Sequence, residues 1–204
     1  LGLEKRDKEG YRLRKNGERL RIEAMSKVND KGVLADSLEL VKNQWKDVGV
    51  MLDIRILEIN HVVNLRLTND FDMIPIVGDG GVGIIDEARH YMPFSPESTW
   101  GLGYYLWASK PDSEFAVEPP AHVKKQLDLW KQLEATSSQE AQYKYMEEIM
   151  DSAKENFYVI GTVESRPVGV VVNDKLQNVP ENMPQSWTFP TPGPMRMGQL
   201  WKKQ

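Results

Sequence analysis

The feature that most constrains this chain is a change of apolar period on either side of Gly49. Upstream of it, Leu34, Leu38, Val41 and Trp45 recur every three or four residues, so a helix with one buried stripe is predicted over Ala35–Val48. Gly49 stands where helices commonly stop, because glycine enters the left-handed conformation of a C-terminal cap without a Cβ penalty. Downstream, Val50–Ile59 is rich in branched apolar residues with Asp53, Arg55 and Glu58 among them, which is a strand pattern. Another strand is expected near Leu20–Met25, fed by a short hairpin turning at Asn16-Gly17. Strand, helix and strand joined by short links make a parallel βαβ unit, and the chain is therefore placed in the α/β class.

Beyond this unit the pattern predicts a short helix over His61–Leu67 and a third strand over Phe71–Val77. Pro75 lacks a ladder donor, so that strand should lie at an edge or leave the sheet there. From Gly78 to Pro120 the chain is dense in Gly, Pro and aromatics without a sustained period, and such long irregular segments are often functional. Periodicity returns with Val123, Leu127, Trp130 and Leu133, then with Ala141, Tyr145, Ile149 and Ala153. These predict a helical hairpin over 121–154, capped at its second helix by Ser137 or Ser138 and packed against the sheet. Phe157–Val163 and Val168–Val172 read as two more strands, and the proline-rich tail from Asn178 as an extended segment over a surface.

Composition removes several kinds of chemistry. The 204 residues include no Cys, which excludes disulfides, thiolate metal sites and cysteine nucleophiles. Twenty-six basic residues are spread among 30 acidic ones, leaving no broad electrostatic footprint for nucleic acid. The basic concentration Lys5–Arg21 is interrupted by Asp7, Glu9 and Glu18 and reads as a solvated face. His61, His90 and His122 are too scattered to suggest a metal site, and no stretch reaches the length of a membrane span. The opening Leu1-Gly2-Leu3-Glu4 is neither a start methionine nor a signal peptide, so the chain is expected to be cut at its N-terminus. The run Gly78-Asp79-Gly80-Gly81-Val82-Gly83 lacks the spacing of a phosphate loop, and no metalloprotease, nucleophile-elbow or calcium-loop motif occurs. No catalytic residue, metal or cofactor is implied.

What remains is a pocket signature. Trp100, Tyr104, Tyr105 and Trp107 fall within eight positions beside Gly101 and Gly103, on a segment expected to be loop. Flat rings so placed bury large area at small entropic cost and suit stacking against sugar faces or apolar ligand groups. Asp79, on a glycine-rich turn beyond a strand end, lies where ligands of α/β sheets usually sit.

Several segments, in order, resemble the C-terminal part of family 5 extracellular solute-binding proteins, the dipeptide, oligopeptide and nickel-binding components of bacterial ABC importers. They are Ala35-Asp36 through Val41-Lys42 with Trp45 and Val48-Gly49-Val50, then Asn69-Asp70-Phe71-Asp72-Met73 and Gly78-Asp79-Gly80-Gly81. Glu118-Pro119-Pro120, Glu155-Asn156 with Ile160-Gly161-Thr162-Val163, and Asn173-Asp174-Lys175-Leu176 through Val179-Pro180 complete the match. The resemblance implies the C-terminal lobe of a periplasmic-binding-protein type II-like fold, a βαβ-based mixed sheet with a packed helical hairpin. Residues 1–177 would form this lobe and 178–204 a tail crossing back toward a missing N-terminal lobe. It implies a non-enzymatic, extracytoplasmic protein that hands its solute to a membrane permease. By position Asp79 would pair with the amino terminus of a peptide; Trp100, Tyr105 and Trp107, from the aromatic cluster, are the further expected ligand-binding residues. Gly-Asp-Gly-Gly replaces the aromatic-bearing segment common in dipeptide binders, which leaves oligosaccharides open as the solute. The alternatives are a hydrolase working through Asp79 and Asp86 on an aromatic platform, and a structural or interaction domain.

Overall fold

The computed structural model of the protein describes residues 2–28, 33–78, 83–163, 167–184, 186 and 195–203. They belong to two compact units: 1–77 with 101–118, and 78–100 with 119–204.

The first unit opens with two tight turns at Gly10 and Gly17, both at positive φ, and the bridges Arg6↔Arg12 and Leu13↔Arg19 close them. Strand β1 (Arg21–Lys27), helix α1 (Val33–Val48) and strand β2 (Met51–Leu57) follow. The strands pair in parallel, Arg21 opposite Met51 and Lys27 opposite Leu57, which is the βαβ unit that the period change predicts. Strand side chains alternate between faces. Ile22, Ala24, Leu52 and Ile54 accordingly share one side, where Leu38, Val41 and Trp45 of α1 cover them. Arg21, Glu23, Asp53 and Arg55 occupy the other, where Arg21 pairs with Asp53, and Arg55 Nη1 lies 2.5 Å from Glu23 Oε1.

Helix α1 ends as its glycine requires. Gly49 sits at φ 85°, its amide bonds the Lys46 carbonyl at 2.9 Å, and the Val50 amide bonds the Trp45 carbonyl at 2.8 Å. This double closure satisfies carbonyls that a helix end leaves open. Arg12 Nε donates to the Val48 carbonyl at 2.7 Å and Arg6 Nη2 to the same oxygen at 3.3 Å. Arg19 pairs with Asp7 at 2.5 Å and Glu9 at 2.8 Å. The basic run is thus more than a solvated face: two of its guanidiniums cap the negative end of a helix, where cations are favoured.

Helix α2 (Ile59–Thr68) lies against β1 and buries Val62. The strand expected over Phe71–Val77 reduces to one parallel bridge, Ala24↔Met73, with the amides of Met25 and Met73 each bonded at 3.0 Å across it. Pro75 has no N–H with which to extend that ladder. A second difference is helix α3 (Leu102–Ser109), which occupies a segment expected to be loop and carries three of the four clustered aromatics. Leu102 and Leu106, one helical turn apart, bury one face of it together with Gly103.

In the second unit, helices α4 (Ala121–Ala135) and α5 (Gln139–Asn156) pack on one another as the predicted hairpin. Ser138 caps α5, its hydroxyl accepting from the Ala141 amide at 3.3 Å. Val123, Leu127, Leu133, Met146 and Ile149 are buried. Gln126, buried among apolar neighbours, donates to the carbonyls of Ile149 at 3.2 Å and Tyr91 at 3.3 Å, tying α4 to α5 and to the 83–100 segment. Neither Phe157–Val163 nor Val168–Val172 forms a strand. Their side chains stand in solvent, Val163 at 90% exposure and Val171 at 100%. An alternating segment becomes a strand only when a neighbour pairs its amides, and none does so among the described residues. The chain instead pairs β3 (Leu176–Gln177) antiparallel with β4 (Trp201–Lys202). No described helix is long and apolar enough to cross a membrane.

Candidate ligand-binding site

Trp100 is delivered by a self-knit loop. Glu87, buried, pairs with Arg89 Nε at 2.8 Å, and Arg89 Nη1 reaches Glu97 at 3.3 Å. The Arg89 carbonyl accepts from both the amide and the hydroxyl of Thr99, at 3.0 and 3.2 Å. That closure brings the next residue back over the loop, where Trp100 Nε1 donates to the His90 carbonyl at 3.3 Å. The indole is half-buried and stacked on Tyr158, with ring centroids 3.9 Å apart and 10° between planes. Tyr158 Oη lies 3.0 Å from His122 Nε2, and the His122 ring is tilted 23° from the phenol at 5.8 Å. His122 stands in the first turn of α4, and Tyr158 directly follows Phe157, the left-handed C-cap of α5. Two helix ends therefore position the cluster.

Tyr105 and Trp107 belong to the first unit, on α3. Two positions apart on a helix do not share a face, and Tyr105 is half-buried whereas Trp107 is 37% exposed. Asp79 lies outside the described residues. The bridge at Met73 runs parallel to β1, so the chain leaves it in the direction of the strands' carboxyl ends, the side where open α/β sheets bind ligands.

At the amino ends of the same strands is an open groove of about 720 Å³, lined by Arg14, Arg21, Glu23, Asp53, Asp70 and Asp72 among others. Within it Arg21 pairs with Asp53, and Asp72 Oδ2 accepts from the Glu23 amide at 2.9 Å. Such a wide, polar cleft lacks the apolar lining that buries a small ligand. None of Trp100, Tyr105 and Trp107 lines it. Nearby, burial alone would raise the Asp7 carboxyl, but the amides of Tyr11 and Glu9 and the Arg19 guanidinium outweigh it and hold the group below its usual value. Burial pushes the Arg66 guanidinium down.

Sequence reasoning picked out Trp100 but not its partners. The sequence pattern places Tyr158 on a strand and His122 at the start of a helix, and no local pattern joins residues so far apart in the chain.

No protein-family model and no curated protein matches the sequence. Solved structures do resemble the fold. The oligopeptide-binding protein OppA matches over 100% of this chain and 34% of its own, with 24% identity and a TM-score of 0.72. NikA from Brucella suis, solved with Fe(III)-EDTA, matches over 74% of this chain and 28% of its own, at 18% identity and a TM-score of 0.53. The periplasmic binding protein MelB from Agrobacterium fabrum, solved with stachyose, matches over 77% and 23%, at 15% identity and a TM-score of 0.56. The fold is thus a mixed sheet with packed helices of the periplasmic-binding-protein type II kind, in the region of the C-terminal lobe. The chain spans at most 34% of the length of these structures.

Proposed function

We propose that this chain is part of the C-terminal lobe of a family 5 solute-binding component of a bacterial ABC importer, a non-enzymatic protein that captures oligopeptides or dipeptides outside the cytoplasm for a membrane permease. The observation that carries this reading is the likeness to OppA along the whole chain. Residues 1–177 act as the lobe, and 178–204 lead back toward an N-terminal lobe that supplies the rest of the cleft. Asp79, Trp100, Tyr105 and Trp107 face the solute. Oligosaccharide is the second reading, favoured by the clustered aromatics and by MelB, a structural relative solved with stachyose.

The two solutes respond differently to substitution. A peptide ammonium paired with Asp79 in a water-poor cleft loses its counter-charge in Asp79→Asn, so binding falls steeply. A sugar keeps most of its hydrogen bonds there and depends instead on ring stacking by Trp100 or Trp107. Calorimetric titration of peptide and oligosaccharide panels against the complete protein, with Asp79→Asn, Trp100→Ala and Trp107→Ala, separates the two. If none of the three changes affinity for any bound solute by more than about twofold, the site assignment is wrong.

A further inference from the structure

We infer that Tyr158 is an intramolecular cover on Trp100, occupying the indole face until a flat ligand group displaces it. The inference rests on the proposed role of Trp100 in solute binding. Aromatic planes in contact are spaced at about the centroid distance seen here, 3.9 Å at 10°, so no third planar group fits between the rings. A ligand that stacks on this face of Trp100 must take the place of Tyr158.

The two rings differ in exposure and in the backbone that carries them. Trp100 is half-buried, anchored through Nε1 to the His90 carbonyl and set in a loop closed by the bonds of Thr99 to Arg89. Tyr158 is 42% exposed and sits in 157–163, where no strand ladder forms. It enters through Phe157 at φ 55°, a left-handed conformation unfavourable for a bulky residue. Rotation at the Phe157 backbone is the step that would carry the phenol off the indole, while the Phe157 amide stays bonded to the Ala153 carbonyl at 2.8 Å. The contact between Tyr158 Oη and His122 Nε2 gives the displaced ring a defined resting place when the ligand leaves. Tyr158 is therefore a specificity-determining residue: it favours ligand groups that stack better than a phenol.

The test uses the complete protein labelled with 5-fluorotryptophan, the Trp100 resonance being assigned by Trp100→Phe, and two probes, stachyose and the peptide Ala-Phe-Ala. In Tyr158→Leu the Trp100 resonance shifts without probe, and affinity for a bound probe rises roughly two- to tenfold, the worth of one aromatic pair. Saturating the wild type with stachyose, which has no aromatic ring to replace the phenol, moves the resonance in the same direction. Tyr158→Phe, which keeps the stack and loses the contact to His122, shows a smaller rise. A Trp100-dependent affinity that Tyr158→Leu leaves unchanged or lowers overturns the cover while leaving the site. Probe binding indifferent to Trp100→Ala, or no binding of either probe in any form, overturns both.

Discussion

The Val117 amide bonds the Gly103 carbonyl at 3.0 Å, and the Val117 side chain fills the space beside Gly103 so closely that a Cβ there would lie 3.0 Å from its Cγ2. The Phe115 carbonyl oxygen would be 3.1 Å away. Alanine is better than glycine in a helix by about 1 kcal/mol, but overpacking a buried contact costs about 1–3 kcal/mol. Gly103→Ala is expected to lose on the order of 1 kcal/mol in urea unfolding. A midpoint equal to or above the wild type would show that the 113–117 turn can retreat from α3.

Gly49→Ala faces a harder obstacle. Its φ of 85° strains any residue with a Cβ, at roughly 1–2 kcal/mol, and the new methyl would meet Arg12 Cγ at 2.9 Å and the Gly10 carbonyl at 3.0 Å. The arginine chain can shift, whereas the carbonyl belongs to a closed turn. We expect about 2–3 kcal/mol of destabilisation by thermal unfolding. A loss under about 1 kcal/mol would mean that the opening turns are not seated on the end of α1.

Trp45 has the helical phase that the sequence predicts, since it packs on the Ala24, Leu38 and Leu52 cluster, but its ring is only half-buried. Complete burial would make Trp45→Ala cost about 3–5 kcal/mol, so about 2 kcal/mol is the expected value. A denaturation midpoint matching the wild type would place the indole in solvent.

Asp7 sets an acid dependence. Its folded-state pKa lies below the ordinary 3.8, so its contribution is fully present above that value and is lost as pH falls through and beneath it. Asp7→Asn should therefore be less stable than the wild type at neutral pH, with the difference closing in strong acid. Unfolding midpoints that stay equally separated from neutral pH to about pH 2 would assign the effect to something other than the carboxylate charge.

Elements whose identity depends on local period were legible in the sequence. Leu38, Val41 and Trp45 defined α1, Val123, Leu127 and Leu133 defined α4, β2 followed from its branched residues, and β1 from the hairpin that feeds it. Helix α3 escaped because Leu102 through Ala108 has no charged face against which an apolar one would stand out; the spacing of Leu102 and Leu106 was its one signal. Phe157–Val163 misled in the opposite sense, because alternation describes how side chains would sit in a ladder and cannot supply the partner strand. The site was legible only in part for a similar reason. Trp100 announced itself by company, whereas Tyr158 and His122 reach it through the ends of α4 and α5, which only the packed hairpin brings together.

Strand β1 is flanked by β2 on one side and by Met73 on the other, which leaves the outer edge of β2 without a neighbour among the described residues. An open edge of this kind invites other chains to add strands to it. Here the strand reads Met-Leu-Asp-Ile-Arg-Ile-Leu, with Asp53 and Arg55 interrupting what would otherwise be a seven-residue apolar run of high β propensity. Such runs are the material of cross-β aggregates, and a charge at alternate positions makes stacking identical copies in register repulsive. Parallel in-register stacking would set Asp53 on Asp53 and Arg55 on Arg55, whereas within one molecule Arg21 pairs with Asp53 and Glu23 with Arg55. Asp53 and Arg55 thus stand where gatekeeper charges break an apolar strand at a sheet edge.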